Sequence, residues 1–462
     1  MCSSKGYPDI THTRPEDWKY VSEGGATIVF SYVGPLNPRF DGTVLRLRKA
    51  IVPKAGNKGE ITTPSEAPSI PTEEPDDPTI QYQEKCMSRV IPSDHLPRLE
   101  TVHLERSWLE RLVNQHDTIR PQGRRDKDQV DLSRTKGVLA TDLVGGNWIA
   151  VEIKPKWGFL PNLHHLSEAS KGVKTQTCRF CMHSAMRHEE GEQVASGYCP
   201  LDLFSGEKER IIKAIYALWD AWISSDATIN NLKLFQRGSL VKPSNMQSLI
   251  AEDYTRDHLE ALSIRDAFAE ALVQPLLKTP VLQTLSQLQR DLDALDIEGL
   301  SKLWRETESS APLYRTTFSS FFERREGDAP PNTPIGVTSL FLDAPEPNMS
   351  DWIEFLDLYL SSASRELDHH NPRPENLRYY LLAYLLSATF KDCSVIVRLD
   401  FLKPGSSTQG ILQSHTATVI DLDPKSMDKL RNWEKLDQRI VNYYTSLPPS
   451  KRKECVDANK TT

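Results

Sequence analysis

Long apolar runs are missing from this 462-residue chain. The longest, around Tyr379–Leu386, stops at Ser387, well short of the ~20 residues that span a bilayer. No apolar stretch follows the opening Met-Cys-Ser-Ser-Lys, so neither a secretory signal nor membrane attachment is expected. Cysteine is scarce. Seven residues at scattered positions make no disulfide framework, and the expectation is an intracellular protein of nucleus and/or cytoplasm with reduced thiols. Positive charge is also lacking overall: 56 Lys and Arg face 63 Asp and Glu, a net −7 that argues against direct nucleic-acid binding. No internal repeat is present.

The charge that does exist is unevenly spread. Between Arg120 and Arg187 stand twelve Lys and Arg against six Asp and Glu, an excess of +6 within an acidic chain. Such an island suits a confined site for a compact polyanion, or it is a solvated basic stretch. Gly59–Glu84 is the opposite: five prolines, seven acidic residues and no Lys or Arg. One charge sign with little apolar surface predicts a disordered insertion.

Along the chain, Ala26–Tyr32 and Thr43–Leu47 have the β-branched, alternating character of strands. Ser107–Gln115 reads as a short helix. Leu139–Asp142 and Trp148–Ile153 read as strands joined by a Gly145-Gly146 hairpin. Apolar residues recur at helical spacing over Glu207–Ile223, His258–Trp304 (interrupted at Pro275 and Pro280) and Pro374–Phe390. Cys393–Leu399 and Thr416–Asp421 read as a strand pair with a turn near Gly405, and a last amphipathic helix runs from about Met427 to Tyr444. This order predicts an α+β protein of two lobes, 1–145 and 146–462, the second carrying a helical insert over about 238–390.

Several segments could carry chemistry. Glu23-Gly24-Gly25-Ala26 precedes one strand and is followed by another bearing Arg46 and Arg48. A glycine pair admits phosphate oxygens to backbone amides, though a ligand-free hairpin turn has the same composition. In Glu152-Ile-Lys-Pro-Lys-Trp-Gly-Phe-Leu-Pro161, Lys154 and Lys156 alternate on one face about Pro155, placed for adjacent phosphates or for solvent. Asp392 and Asp421 sit at the mouths of apolar strands, where phosphotransferases keep a proton acceptor and a Mg²⁺ ligand. Beyond Asp421, Lys425, Lys429 and Trp433 fall at i, i+4, i+8, one stripe of a helix. Cys178 and Cys181 form half of a zinc motif, but His188 and Cys199 lack the paired spacing of the other half. Reduced cysteines packed in the interior are expected there.

Together EGGATIVFSY (23–32), VLRLRK (44–49), EIKPKWGFLP (152–161), RFCMH (179–183), YCPLDLFSGEKER (198–210), NNLKLF (230–235), KDCSVI (391–396) and VIDLDPK (419–425) resemble the inositol-pentakisphosphate 2-kinase family, in order and across almost the whole chain. The resemblance implies a two-lobed fold distantly related to protein kinases and other inositol phosphate kinases. It implies a monomer that uses ATP and Mg²⁺ to phosphorylate the 2-hydroxyl of inositol 1,3,4,5,6-pentakisphosphate. A non-catalytic inositol-phosphate- or RNA-binding scaffold, or a kinase of a less phosphorylated inositol, is the alternative.

Carried across by motif, the catalytic residues are Asp392, Asp421 and Lys154, with Asp421 the metal ligand. Gly24, Gly25, Ala26, Arg46, Asp142 and Glu152 fall on the ATP side. Arg124, Lys154, Lys156, His183, Arg187, Asn230, Asn231, Lys425 and Lys429 fall on the inositide side. Trp433 replaces a tyrosine of plant members. The resemblance also implies a zinc site in plant members, at a later Cys-x-x-Cys; between Gly238 and Lys391 this chain has no cysteine.

Overall fold

The computed structural model describes residues 6–51, 74–146, 148–245, 264–309, 345–399 and 417–459. It is a mixture of helices and antiparallel sheet, the α+β class expected, and the chain divides into two compact units. The first comprises Met1–Ser88, Leu96–Ala150 and Phe235–Leu240; the second comprises Arg89–His95, Val151–Leu234 and Val241–Thr462.

In the first unit, strands β1 (Trp18–Glu23), β2 (Thr27–Tyr32) and β3 (Thr43–Ile51) are followed by helix α1 (Pro78–Lys85), β4 (Leu99–His103), α2 (Arg106–His116) and the single turn α3 (Gln122–Arg125). β5 (Asp128–Val130) and β6 (Lys136–Thr141) complete a sheet of order β1-β2-β3-β6-β4, with β5 paired to β3. The alternation in β2 sets its register: Ile28 opposes Leu47 and Phe30 opposes Leu45, so all four are buried on one face. Trp18 and Trp108 meet edge to face at 6.5 Å on that core, and Thr13 serves both indoles, its hydroxyl accepting from Trp18 and its carbonyl from Trp108 at 2.9 Å each.

The predicted hairpin at Gly145-Gly146 does not form. β6 lies in the first sheet, whereas β7 (Ile149–Ile153) belongs to a second sheet of order β11-β10-β7-β8-β9. The cause is Asp142, whose carboxylate turns back to accept the N–H groups of Val144 (2.9 Å) and Gly145 (2.7 Å) and the hydroxyl of Ser31. A Cβ at Gly145 would meet that carboxylate at 2.0 Å, which is why glycine stands there.

The expected disorder of Gly59–Glu84 fails for its C-terminal part; 59–73 lies outside the described residues. Pro78–Lys85 is helix α1, capped by Asp77 and burying Tyr82. The acidic residues are matched by distant cations: Asp77 holds Arg48 in a fork of 2.6 and 2.7 Å, Asp76 takes Lys136 at 3.0 Å and Glu74 takes Arg134 at 2.9 Å. A run of one sign reads as disordered only while its partners, elsewhere in the sequence, stay unseen.

The second unit continues with α4 (Glu168–Lys174), α5 (Arg179–Glu189), α6 (Pro200–Leu203) and α7 (Lys208–Ser224); along the chain β8 (Leu232–Gln236) and β9 (Ser239–Val241) follow. Then come α8 (Ile264–Lys278), α9 (Val281–Leu292), α10 (Asp296–Ser309), α11 (Met349–Leu360), α12 (Leu377–Asp392), β10 (Ser394–Leu399), β11 (Ala417–Ile420) and α13 (Lys429–Ser446). Pro275 sits inside α8 rather than ending it. The turn expected near Gly405 lies outside the described residues. Among the described residues no helix is long and apolar enough to cross a membrane. The interior cysteines converge: Cys178, Cys181, Cys199 and Cys455 share one buried cluster with Leu160 and Leu201, and exposed His188 takes no part.

Candidate active site

The second unit gathers six of the sequence-predicted residues. Glu152 is buried on strand β7, one residue before its end, and its carboxylate lies 3.0 Å from Lys233 Nζ on β8 and 3.0 Å from the Ser394 hydroxyl at the start of β10. The same hydroxyl is 3.2 Å from Asp421, immediately past β11. Lys154 Nζ pairs with Asp421 at 3.1 Å. Asp392, the last residue of α12, accepts Lys156 on one carboxylate oxygen at 3.0 Å and Lys425 on the other at 2.9 Å. Two ion-paired groups result, Lys154 with Asp421 and both Lys156 and Lys425 with Asp392, and the charge of Asp392 also reaches Lys154.

Their members differ in exposure. The carboxylates of Asp421 and Asp392 are 53% and 54% accessible, while the lysines keep their stems buried, Lys154 at only 14%. Burial pushes the Asp392 carboxyl up, but the ammonium groups of Lys156 and Lys425 more than offset this and hold it at about 2. Burial likewise opposes the charge on Lys154, and Asp421, with Glu152 and Asp392 behind it, outweighs the opposition and raises its pKa.

Local backbone differs from the expectation in two places. Lys154 and Lys156 do not alternate along a strand, because β7 ends at Ile153 and Lys156 takes the left-handed conformation, φ +67°. The turn sends the two lysines to different carboxylates. Asp421 is also left-handed, φ +62°. Two non-glycine residues held in this region within one cluster are strain that the surrounding contacts must sustain. Asp392 stands two residues before β10, as expected, but it also ends helix α12, where the macrodipole disfavours a carboxylate; the two lysines answer that cost.

What sustains the strain was not foreseen in the sequence. Gln289, fully buried on α9, donates to the carbonyls of Lys156 (3.0 Å) and Phe390 (2.9 Å) and accepts the Gly158 N–H (2.8 Å). One side chain thus fastens the lysine segment to the end of α12 that carries Asp392. Gly158 is required here, since a Cβ would come within 2.7 Å of the Phe204 ring. Tyr198 donates to the carbonyl of Pro155 at 2.9 Å, and Lys391, buried against Asp293 at 2.5 Å, lies over the Trp157 ring at 4.1 Å. The signal for Gln289 was present: with Ser286 it interrupts the otherwise apolar buried face of α9.

The other expected inositide residues are placed variously. Asn231 is buried and donates to the Lys154 carbonyl at 3.2 Å while its own carbonyl accepts the Lys154 N–H at 3.0 Å, so it positions Lys154; Asn230 is exposed beside it. Arg179, His183 and Arg187 follow one another at i, i+4, i+8 along α5. Arg179 is engaged by Asp437 and stacks over Trp157 at 4.9 Å. His183 is driven down to about 4, by burial and then by Arg179 and Arg187, and is neutral at ordinary pH. Arg187 pairs with Glu192 at 2.6 Å. Lys425 precedes α13 rather than lying on it, so the expected stripe reduces to Lys429 at the helix start and Trp433, which packs on Tyr384 at 6.1 Å. Asp296, Glu298 and Asp437 could hold a cation, and the Lys174 ammonium occupies that place at 2.7–2.9 Å.

In the first unit, Gly24 and Gly25 form the turn between β1 and β2, where an added Cβ would meet nothing within 4 Å. Crowding within the chain therefore does not account for the glycine pair. The turn is anchored by a buried quartet: Glu23 and Asp128 are each shared by Lys49 (3.1 and 2.9 Å) and Arg120 (2.9 and 2.8 Å). Ala26 follows the turn, and Arg46 lies half-buried on β3. Arg48, expected to share a phosphate-facing role, is occupied by Asp77, and Asp142 by its own turn. Exposed Arg124 lies on α3.

A family model described as inositol-pentakisphosphate 2-kinase matches residues 20–439. The inositol-pentakisphosphate 2-kinase of Cryptococcus neoformans var. neoformans serotype D is 31% identical over 454 residues, covering 94% of each chain. That of Oryza sativa subsp. indica is 30% identical, covering 93% of this chain and 94% of the relative, and that of Arabidopsis thaliana is 26% identical with 93% of each covered. On a match of this extent, in which the motif lysines and carboxylates fold into one cluster, the chain belongs to the inositol-pentakisphosphate 2-kinase family.

Proposed function

We propose that the chain transfers the terminal phosphoryl group of ATP to the 2-hydroxyl of inositol 1,3,4,5,6-pentakisphosphate, giving the hexakisphosphate, and that its two units correspond to the lobes of a kinase-like fold. The observation that carries the reading is the gathering of Lys154, paired with Asp421, and of Lys156 and Lys425, paired with Asp392. Lysines held rigidly by exposed carboxylates are primed for exchange. Phosphates arriving with the inositide displace a carboxylate from each ammonium, which keeps a charge-assisted partner of about 1.5–3 kcal/mol throughout.

That exchange also changes Asp392. Once phosphates draw off Lys156 and Lys425, nothing holds its carboxyl near 2, and its proton affinity rises toward that of a useful acceptor for the attacking hydroxyl. Asp421, with Glu152 joined to it through the Ser394 hydroxyl, offers the hard oxygen donors that suit Mg²⁺, which when bound would neutralise charge on the transferring phosphoryl group. Asn231 and Gln289 hold the backbone of Lys154 and Lys156 in place for the substrate. The Gly24-Gly25 turn, braced by Glu23, and Arg46 on the adjacent strand are the proposed nucleotide side.

Asp392→Asn tests the assignment. It retains shape while removing the acceptor, so kcat should fall by at least ~10² while calorimetry still registers pentakisphosphate binding. Normal turnover would remove Asp392 from the role. Unaltered binding by a wild-type chain that forms no hexakisphosphate with ATP would reject the kinase reading itself.

A further inference from the structure

One carboxylate beside the lysines has no part in the motif chemistry. Glu346 stands two residues before Asn348, the N-cap of α11, yet its side chain serves a loop 80 residues away. One of its oxygens accepts the Ser426 hydroxyl at 2.6 Å and the Asp428 N–H at 3.4 Å; the other accepts the Met427 N–H at 3.2 Å. Those three residues follow Lys425 directly and lead into α13. We infer that Glu346 is a positioning residue for the inositide: by holding Ser426, Met427 and Asp428 it sets where the Lys425 ammonium stands. The inference rests on the function proposed above, which gives Lys425 a phosphate to meet.

The connection from β11 to α13 needs such a hold. Residues 421–428 carry neither helix nor strand, and Asp428, the N-cap of α13, makes no side-chain cap of its own. Glu346 supplies the missing acceptor from outside the helix, and its negative charge suits a helix N-terminus. Glu346 itself is exposed, but Met427, which it holds, is buried. The loop has a second fixed point: Thr389, buried on α12, donates to the Asp423 carbonyl at 3.2 Å. Lys425 stands between the two. Glu346 is fixed in its turn. Buried Arg378 on α12 donates to the Pro345 carbonyl at 2.9 Å and to Asp351 at 3.1 Å, and Asp351 also accepts the Asn348 N–H at 2.8 Å. Pro345 and Pro347 flank Glu346 and restrict its backbone. Helix α12 therefore governs Lys425 twice, through Asp392 at its side chain and through Arg378 and Glu346 at its backbone.

Capping of α13 alone explains less. That helix has 18 residues and buries Leu430, Ile440, Val441 and Tyr444, so one acceptor at its start decides little of its formation. The backbone hold matters most once substrate arrives. Phosphates that draw Lys425 away from Asp392 remove the restraint on its side chain, and Glu346 is what keeps the ammonium in place. A lysine held ready loses less freedom on binding. Its phosphate is present in both ground and transition states, so loss of the hold shows in affinity more than in the chemical step.

The test uses the full chain and inositol pentakisphosphate, by calorimetry and steady-state kinetics below the melting temperature of each variant. Glu346→Ala should raise Kd and KM for the pentakisphosphate about three- to tenfold, with kcat within about twofold and KM for ATP unchanged. That is part of the rise of about tenfold or more that losing a charge-assisted contact brings in Lys425→Ala. Glu346→Gln keeps an oxygen for Ser426 and Asp428 and loses the Met427 bond, so it should fall between wild type and Glu346→Ala. In the Lys425→Ala background, Glu346→Ala should add nothing. Glu354→Ala, which removes an exposed carboxylate from α11, should match wild type. A lower melting temperature with unchanged Kd would reduce Glu346 to a helix cap and overturn the inference. So would a lower Kd, the sign of a carboxylate that repels substrate, or an effect that multiplies with that of Lys425→Ala. Should Glu346→Ala fail to fold, Glu346→Gln decides. A wild type that binds the pentakisphosphate without phosphorylating it rejects the kinase reading, while the binding series still decides this one; a wild type that binds none overturns both.

Discussion

Replacing Gln289 by leucine should damage both stability and catalysis, and in separable ways. The side chain is wholly buried and makes three hydrogen bonds, to Gly158 N–H, Lys156 C=O and Phe390 C=O. Leucine fills similar volume but leaves the Gly158 N–H buried without an acceptor, at a cost of about 1–3 kcal/mol. The carbonyls lose less. Phe390 C=O keeps the Cys393 thiol at 3.2 Å, and carbonyl oxygens tolerate one vacant lone pair, so about 0.5 kcal/mol each is reasonable. The sum is roughly 2–4 kcal/mol, read as a lower denaturant midpoint at unchanged slope.

The catalytic effect follows from what the bonds position. Lys156 is held at φ +67° by contacts to its own carbonyl, and Asp392 lies two residues beyond Phe390. Freeing both ends lets a lysine and the acceptor drift, and ~1 Å of drift costs on the order of 10² in rate. Assayed well below its melting temperature, Gln289→Leu should lose about 10–100-fold in kcat/KM, with kcat and KM both affected. Gln289→Glu should fare worse, because it places an anion against two carbonyl oxygens at a fully buried position. Gln287→Leu, on the exposed side of the same helix, is the control and should stay within ~0.5 kcal/mol of wild type. If Gln289→Leu loses stability while kcat/KM is unchanged, the side chain is only a core fastener and its positioning role is refuted.

Lys154→Ala should raise the KM for the pentakisphosphate about tenfold or more, the loss of one charge-assisted contact of at least ~1.5 kcal/mol; steady-state kinetics showing only kcat reduced would contradict a role in ground-state binding. Deleting 59–73 should leave melting and activity nearly unchanged. Deleting 74–85 should cost at least ~2 kcal/mol by removing the burial of Tyr82 and stranding Arg48, Arg134 and Lys136, and equal melting of the two deletions would show those ion pairs contribute nothing.

Legibility in the sequence followed the range of the signal. Period-two and period-3.6 patterns carried β2, β3, α7 and α12 to within a few residues, because burial on one face is written locally. The lysines and carboxylates of the site could be named from their motifs, yet their mutual pairing could not, since Lys156 meets Asp392 across 236 positions. Where the reading failed, a distant partner decided. Asp142 folded back on its own turn and separated two strands that glycines seemed to join. Acidic residues before α1 found Arg48 and Lys136, and a segment with no core of its own became ordered by ion pairs.

The same logic explains why the basic island overstated the anion site. Of its twelve cations, Arg120, Arg134, Lys136, Lys174 and Arg179 are matched by carboxylates that are themselves less than half exposed, and Arg120 and Lys174 are almost wholly buried. Paired so closely, they hold the fold together and offer a ligand little. Under the proposed function the charge offered to a polyanion comes from lysines whose carboxylate partners are more than half exposed, among them Lys154 and Lys156, joined by Lys425 from outside the island. Exposure of the partner is therefore the better criterion than local charge density. A buried pair pays a large desolvation cost and stays shut, whereas an exposed carboxylate can yield its lysine to a phosphate and return to water.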